Sequence, residues 1–152
     1  MLGDDPSQSQ LMMAVAGKDR LRITTGVKGL KELSRRIPSW AEQEDCRWIT
    51  FYASQCMEKF GTGGGNFRTM YSRFLTWAKG VRPDLVGDHL IGLAESSSKR
   101  WTELSFLMTS AGKAPQEQET WRKASEVAQS IAELEAELFE KLRHGISTNT
   151  SR

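Results

Sequence analysis

Apolar residues recur at spacings of three and four along most of this chain, and that period predicts helices almost from end to end. Gln8 to Ala16, carrying Leu11, Met12, Met13 and Val15, reads as a short helix stopped by Gly17. In Lys18 to Thr25, Leu21 and Ile23 alternate with arginines, but a lone strand there has no partner, so the segment reads as a loop. Val27, Leu30, Leu33 and Ile37 predict a helix over residues 26–36, capped by Thr25 and ended by Pro38. Ser39 and Glu42 have capping-box spacing and open a helix to Phe60 whose stripe is Ile49, Ala53, Cys56, Met57 and Phe60. Asn66 is the expected N-cap of a helix to Lys79, with Phe67, Met70, Tyr71, Phe74, Leu75 and Ala78 facing one way.

From Leu85 to Thr109 a longer pattern runs through Leu90, Leu93, Ala94, Trp101, Leu104, Phe106 and Met108. Its glycines and the run Ser96-Ser97-Ser98 predict a kink near Ser97. Pro115 opens a last helix to His144 with a stripe of Trp121, Ala124, Val127, Ala128, Ile131, Leu134, Leu138 and Leu142. Glu126, Glu133, Glu135, Glu137 and Glu140 read as its solvated outer face. The resulting fold class is all-α: a single bundle-like domain of about six helices, with a glycine-rich turn between two central ones. Residues 1–7 are expected to be a flexible N-terminus, 8–145 the helical domain and 146–152 a flexible tail.

The turn, Gly61-Thr62-Gly63-Gly64-Gly65-Asn66-Phe67-Arg68, holds four of the chain's thirteen glycines within five positions. Such a run points either to a backbone shaped for a ligand or to tight helix–helix packing, and the sequence leaves both open. It fails as a phosphate loop, because Asn66 and Phe67 stand where glycine and lysine belong, and it fails as a dinucleotide fingerprint because a helix precedes it. Free amides at a helix start, with the helix dipole and Arg68, could still hold a carboxylate or phosphate. Alternatively Arg68 or Arg73 pairs with Glu58 and locks the turn.

A net charge of +2 over 152 residues gives no chain-wide case for nucleic acid. The basic residues between Lys18 and Arg36 form the one local exception, read as a solvated face or as the seat of an anionic partner. No apolar run is long enough to span a bilayer and the first residues lack a signal-peptide layout, so a cytoplasmic location is expected. Cys46 and Cys56 lie about 15 Å apart along one predicted helix, too far for a disulfide, and read as small buried hydrophobes. Two histidines, His89 and His144, without clustered cysteines give no metal site, and no cofactor is expected. No catalytic residue stands out.

Glu58-Lys59 followed by Gly61-Thr62-Gly63-Gly64-Gly65, then Phe67-Arg68, Tyr71 and Phe74-Leu75, resembles the C-terminal domain of the butirosin-biosynthesis protein H family. Gly26-Val27-Lys28-Gly29-Leu30, Trp40 and Trp101 add weaker points of resemblance, and together they cover roughly residues 8–110. In that family the domain follows a papain-like cysteine half, and the whole resembles an acyltransferase that moves an acyl group from a carrier-protein thioester to an amine. This chain has no room for the papain-like half and no nucleophilic cysteine motif. The resemblance therefore implies an accessory or substrate-positioning domain of natural-product biosynthesis. It would bind a small acyl or amine substrate, or a papain-like or carrier-protein partner, at the glycine-rich turn.

The expected ligand-binding set is Glu58, Gly61, Thr62, Gly63, Gly64, Gly65, Asn66, Phe67, Arg68 and Tyr71. Backbone amides would hold an anionic group, Arg68 would be its counter-charge, and Glu58 and Tyr71 would orient it. Arg68→Ala is then expected to weaken binding with little change in melting temperature. Two other readings stay open. One is a stand-alone enzyme using Glu58 or Tyr71 in acid–base work. The other is a structural interaction module that forms a homodimer through the 115–144 helix.

Overall fold

The computed structural model describes residues 24–150, with side chains through residue 145. The helix expected over Gln8–Ala16 and the flexible N-terminus lie outside the described residues. Within them are five α-helices: α1 (Gly26–Arg36), α2 (Cys46–Glu58), α3 (Arg68–Val81), α4 (Asp88–Lys113) and α5 (Gln118–Thr150). No strand occurs among the described residues. The all-α, bundle-like arrangement is as expected, with five helices among the described residues.

α2 and α3 lie end to end along α4, running against it. Thr50 meets Gly112, Ser54 bonds Ser105, Glu58 reaches Thr102, Thr69 bonds Ser98 and Lys79 pairs with Asp88. Partners on α4 thus count down steadily as α2 and α3 count up, so the pair is one helical track with a break in it. α5 returns antiparallel to α4, with Ser97 and Trp101 both on Glu135 and His89 on Glu137. α1 lies antiparallel to α5, where Ser125 Oγ donates to the Ser34 carbonyl at 2.7 Å.

Apolar packing divides into two clusters along the bundle. The larger joins Leu30 and Ile37 to Met57, Trp101, Leu104, Met108, Trp121, Ala128 and Ile131. The smaller joins Leu75, Val86, Leu90, Leu93, Ala94 and Leu138, with Tyr71, Leu134 and Leu142 packed on it. Four tracks build the first. The second is built by α3, α4, α5 and the α3–α4 connection, without α1. The stripe expected on α5 is buried at Trp121, Ala124, Val127, Ala128, Ile131 and Leu138.

Several boundaries differ from expectation, each for a local reason. The helix expected from Ser39 to Phe60 begins as a 3-10 segment, Ile37–Glu42, and α2 starts only at Cys46. Ser39 makes no capping box, because its hydroxyl donates back to the Arg36 carbonyl at 2.8 Å. Phe67, not Asn66, is the residue before α3, and no side chain caps that start. α5 begins at Gln118, after a turn in which the Trp121 indole N–H reaches the Pro115 carbonyl at 3.0 Å. α4 is a single uninterrupted helix through Ser97, which is fully buried with its hydroxyl on Glu135.

The faces of α2 and α3 are corrected more deeply. α2 buries Cys46, Thr50, Ser54 and Met57, whereas Ile49 and Phe60 of the expected stripe are exposed. α3 buries Ser72 and Leu75, and leaves Phe67, Met70 and Phe74 exposed. Phe106, placed in the α4 stripe by its spacing, is also exposed. The cause is close approach to α4. A Cβ at Gly112 would stand 1.9 Å from Thr50 Oγ1, so this seam takes only small residues and turns the aromatics outward.

Candidate functional site

Residues 59–67 join α2 to α3, and from Gly63 onward their backbone is wound the wrong way for L-residues. Gly63, Gly64, Gly65, Asn66 and Phe67 have φ of 65°, 86°, 55°, 47° and 68° in succession. Asn66 and Phe67 are the only non-glycine residues with positive φ among those described. Such a conformation costs an ordinary residue about 1–2 kcal/mol, so the surroundings must hold it. They do so from the α2 end, where Thr62 Oγ1 and the Asn66 amide both donate to the Met57 carbonyl, at 2.9 and 2.8 Å. Gly65 is buried against Ser98, and a Cβ there would lie 2.3 Å from Ser98 Oγ and 2.9 Å from its carbonyl oxygen.

Of the polar groups expected to meet a ligand, Glu58, Arg68 and the amides of Gly65 and Asn66 are bonded within the protein. Glu58 Oε1 accepts from the Gly65 amide at 3.1 Å and from Thr102 Oγ1 at 2.9 Å. The chain thus places its own carboxylate on the turn, where an external anion was expected. Arg68 turns the other way and grips Glu135 with a forked pair, Nε to Oε1 at 2.7 Å and Nη2 to Oε2 at 2.8 Å. Neither Arg68 nor Arg73 locks the turn through Glu58. Arg68 Nη1 points at the Asn66 carbonyl at 3.4 Å, and its guanidinium carbon lies 5.8 Å from the Phe139 ring centre.

Glu135 is the residue that sequence reasoning missed. It sits in a run of alternating glutamates on α5 that spacing places on a solvated face, yet it is buried. Its Oε1 also accepts from Ser97 Oγ at 3.0 Å and from the Trp101 indole N–H at 2.9 Å. One carboxylate therefore gathers donors from α3 and α4 onto α5, at the level where the two apolar clusters meet. The remaining signal was the i, i+4 neighbourhood of Ile131, Leu138 and Phe139, which puts Glu135 beside the apolar stripe.

What the site offers to solvent is aromatic. Beyond the turn, Phe67, Met70, Tyr71, Phe74 and Phe139 surround Arg68, and Tyr71 packs between Phe74 and Phe139 with ring centres 6.2 Å from each. Partial burial raises the Tyr71 hydroxyl above its ordinary pKa, against the opposing influence of the Arg68 charge. The same face continues into a groove of about 580 Å³ between α3 and α5. Before the turn, α2 presents Trp48 stacked on Phe51 and Tyr52 against Phe60, with ring centres 5.6 and 5.8 Å apart. Trp48 is 67% exposed and Phe60 58%.

The other candidates resolve simply. Cys46 is buried and Cys56 half-buried, both as free thiols. No group of histidine, cysteine or carboxylate side chains able to hold a metal occurs among the described residues. No helix among them is long and apolar enough to cross a membrane. Of the basic stretch, the described Arg35 and Arg36 pair with Glu32 on an exposed face of α1.

A family model described as "Domain of unknown function (DUF4872)" matches residues 7–142. No curated protein and no solved structure matches the chain.

Proposed function

The chain belongs to the family of the domain of unknown function DUF4872, and we propose that in this family member the fold serves as an accessory domain that docks a partner enzyme beside the glycine-rich turn. The observation that carries this reading is the inversion of the expected site. Glu58, Arg68 and the amides of Gly65 and Asn66 are bonded internally, while Trp48, Phe51 and Tyr52 of α2 and Phe60 just after it stand exposed as two ring pairs. Clustered aromatics outside a satisfied polar frame suit a protein contact better than an anionic substrate.

Resemblance to the C-terminal domain of the butirosin-biosynthesis protein H family supplies the partner class, a papain-like acyltransferase half or its carrier protein. In this reading the chain carries no chemistry of its own and orients the partner that does. A binding titration of the purified chain with a separately purified papain-like half tests it. We expect a stoichiometric complex that Tyr52→Ala with Phe60→Ala weakens at least tenfold, with the melting temperature little changed. The absence of a complex with either the papain-like half or an acyl carrier protein would overturn the reading.

A second reading has its own observation. The groove between α3 and α5 has a volume inside the usual range for small-molecule pockets and is lined mainly by apolar side chains, which suits an acyl group.

A further inference from the structure

A cavity of about 500 Å³ opens between the start of α2 and the end of α4, at the far end of α2 from the glycine-rich turn. Its lining combines a ring pair with charges of both signs. Trp48 stacks on Phe51 with the two planes 16° apart, and Glu44 and Asp45 share the cavity with Arg47 and Lys113. The volume lies inside the usual range for small-molecule sites.

The two signs are held apart rather than paired. Glu44 and Arg47 are three residues apart, the separation at which Arg100 meets Glu103 and Arg122 meets Glu119, both at 2.6 Å. Yet Glu44, Asp45, Arg47 and Lys113 form no ion pair among the described residues. The backbone explains this. A Cβ on Gly112 would stand 3.2 Å from the Arg47 Cα, so the close approach of α2 to α4 carries Arg47 to the seam, beside Lys113. Glu44 and Asp45 stay in the connection ahead of α2, and the Asp45 side chain does not cap the helix. Two like charges set together without a counter-ion repel each other. Arg47, in the first turn of α2, also faces a helix dipole that disfavours a cation. A bound carboxylate would relieve both penalties, and the two acids nearby would receive an ammonium. Trp48, 67% exposed, leaves ring surface on which a further aromatic can stack.

We infer that this cavity binds a free aromatic α-amino acid. Its carboxylate sits with Arg47 and Lys113, its ammonium with Glu44 and Asp45, and its ring on Trp48 and Phe51. A zwitterion is favoured over either simple ion because each pole of the cavity repels the charge that the other attracts. The inference is separate from the docking reading, whose test rests on Tyr52 and Phe60, and either can fail without the other.

Titration of the full, ¹⁵N-labelled chain tests this, read at the Trp48 indole N–H, one of five in the spectrum and identified by its loss in Trp48→Phe. The unlabelled probes are L-phenylalanine, L-tyrosine and L-tryptophan, with 2-phenylethylamine and 3-phenylpropionate as half-ligands that keep one charge each. At least one amino acid is expected to shift that signal saturably and to bind at least about fivefold tighter than both half-ligands. Arg47→Ala with Lys113→Ala should reduce it to the affinity of 2-phenylethylamine, and Glu44→Gln with Asp45→Asn to that of 3-phenylpropionate. Lys113→Ala alone, at an exposed helix end, should lose part of the advantage and serves if a double variant fails to fold. Equal or tighter binding of 3-phenylpropionate would overturn the inference in favour of a plain anion site, and of 2-phenylethylamine in favour of a cation site. No saturable shift with any of these compounds would overturn it outright.

Discussion

Arg68→Ala separates a ligand-facing arginine from a structural one. Arg68 holds Glu135 through two short bonds, and the side chains are 21% and 4% exposed. Removing one partner of a buried ion pair costs about 3–5 kcal/mol, because the other charge is stranded away from water. Here the stranded group is the more deeply buried carboxylate, which argues for the upper end. Ser97 and Trp101 still donate to it, which argues for the lower. We therefore expect a loss of about 3 kcal/mol. At about 2–4 °C per kcal/mol for a chain of this size, the melting temperature should fall by about 6–12 °C. Arg68→Lys keeps the charge but not the fork and should fall between. Urea and thermal unfolding followed by far-ultraviolet circular dichroism give both numbers. A loss under about 1 kcal/mol would refute the reasoning and return Arg68 to the ligand role that the sequence suggested.

Gly65→Ala should destabilise by more than about 2 kcal/mol, since it combines a left-handed φ with a clash against Ser98, whereas Gly61→Ala, with open space around it, should lose only about 1 kcal/mol; denaturant midpoints compare them. Gly112→Ala should weaken the α2–α4 seam by about 1–3 kcal/mol, and adding Thr50→Ala, which removes the hydroxyl 1.9 Å away, should restore part of it. Tyr71 holds its proton to higher pH folded than unfolded, so its contribution is present below pH 10.0, the ordinary value, and is lost as pH rises through the raised folded value. Spectrophotometric titration of the protein against Tyr71→Phe should show one phenol ionising late.

The last helix was legible because its large apolar residues do what periodicity assumes, filling a core from Trp121 to Leu138. α2 and α3 were not, because the seam along α4 selects for size rather than hydrophobicity. Where Gly112, Ser105 and Ser98 let a helix approach closely, Thr50, Ser54 and Thr69 are the residues that fit, and reading the aromatics as core misplaced part of each stripe, although Ala53, Met57, Tyr71, Leu75 and Ala78 do pack inward. The glycine run was legible as a special backbone, but its partners were not. Glu58 and Arg68 were singled out correctly as charges near the turn, yet Thr102 and Glu135, which they actually meet, lie 44 and 67 residues away. Nothing in the alternating glutamates of α5 marks Glu135, because its distinction comes from three donors on other helices.

Five successive residues of positive φ also make this segment a question of chirality. Here the backbone winds as the mirror image of an L-chain would prefer, and glycine is the achiral residue that can follow it. The two demands on each glycine, handedness and room, can therefore be separated by chemical synthesis. At Gly61, where an L-alanine methyl meets nothing within 4 Å, handedness is the only objection to the side chain. A D-alanine at that position adopts the same dihedral as its own preferred one. Semisynthetic protein carrying each enantiomer at Gly61 would then differ in stability by the conformational term alone.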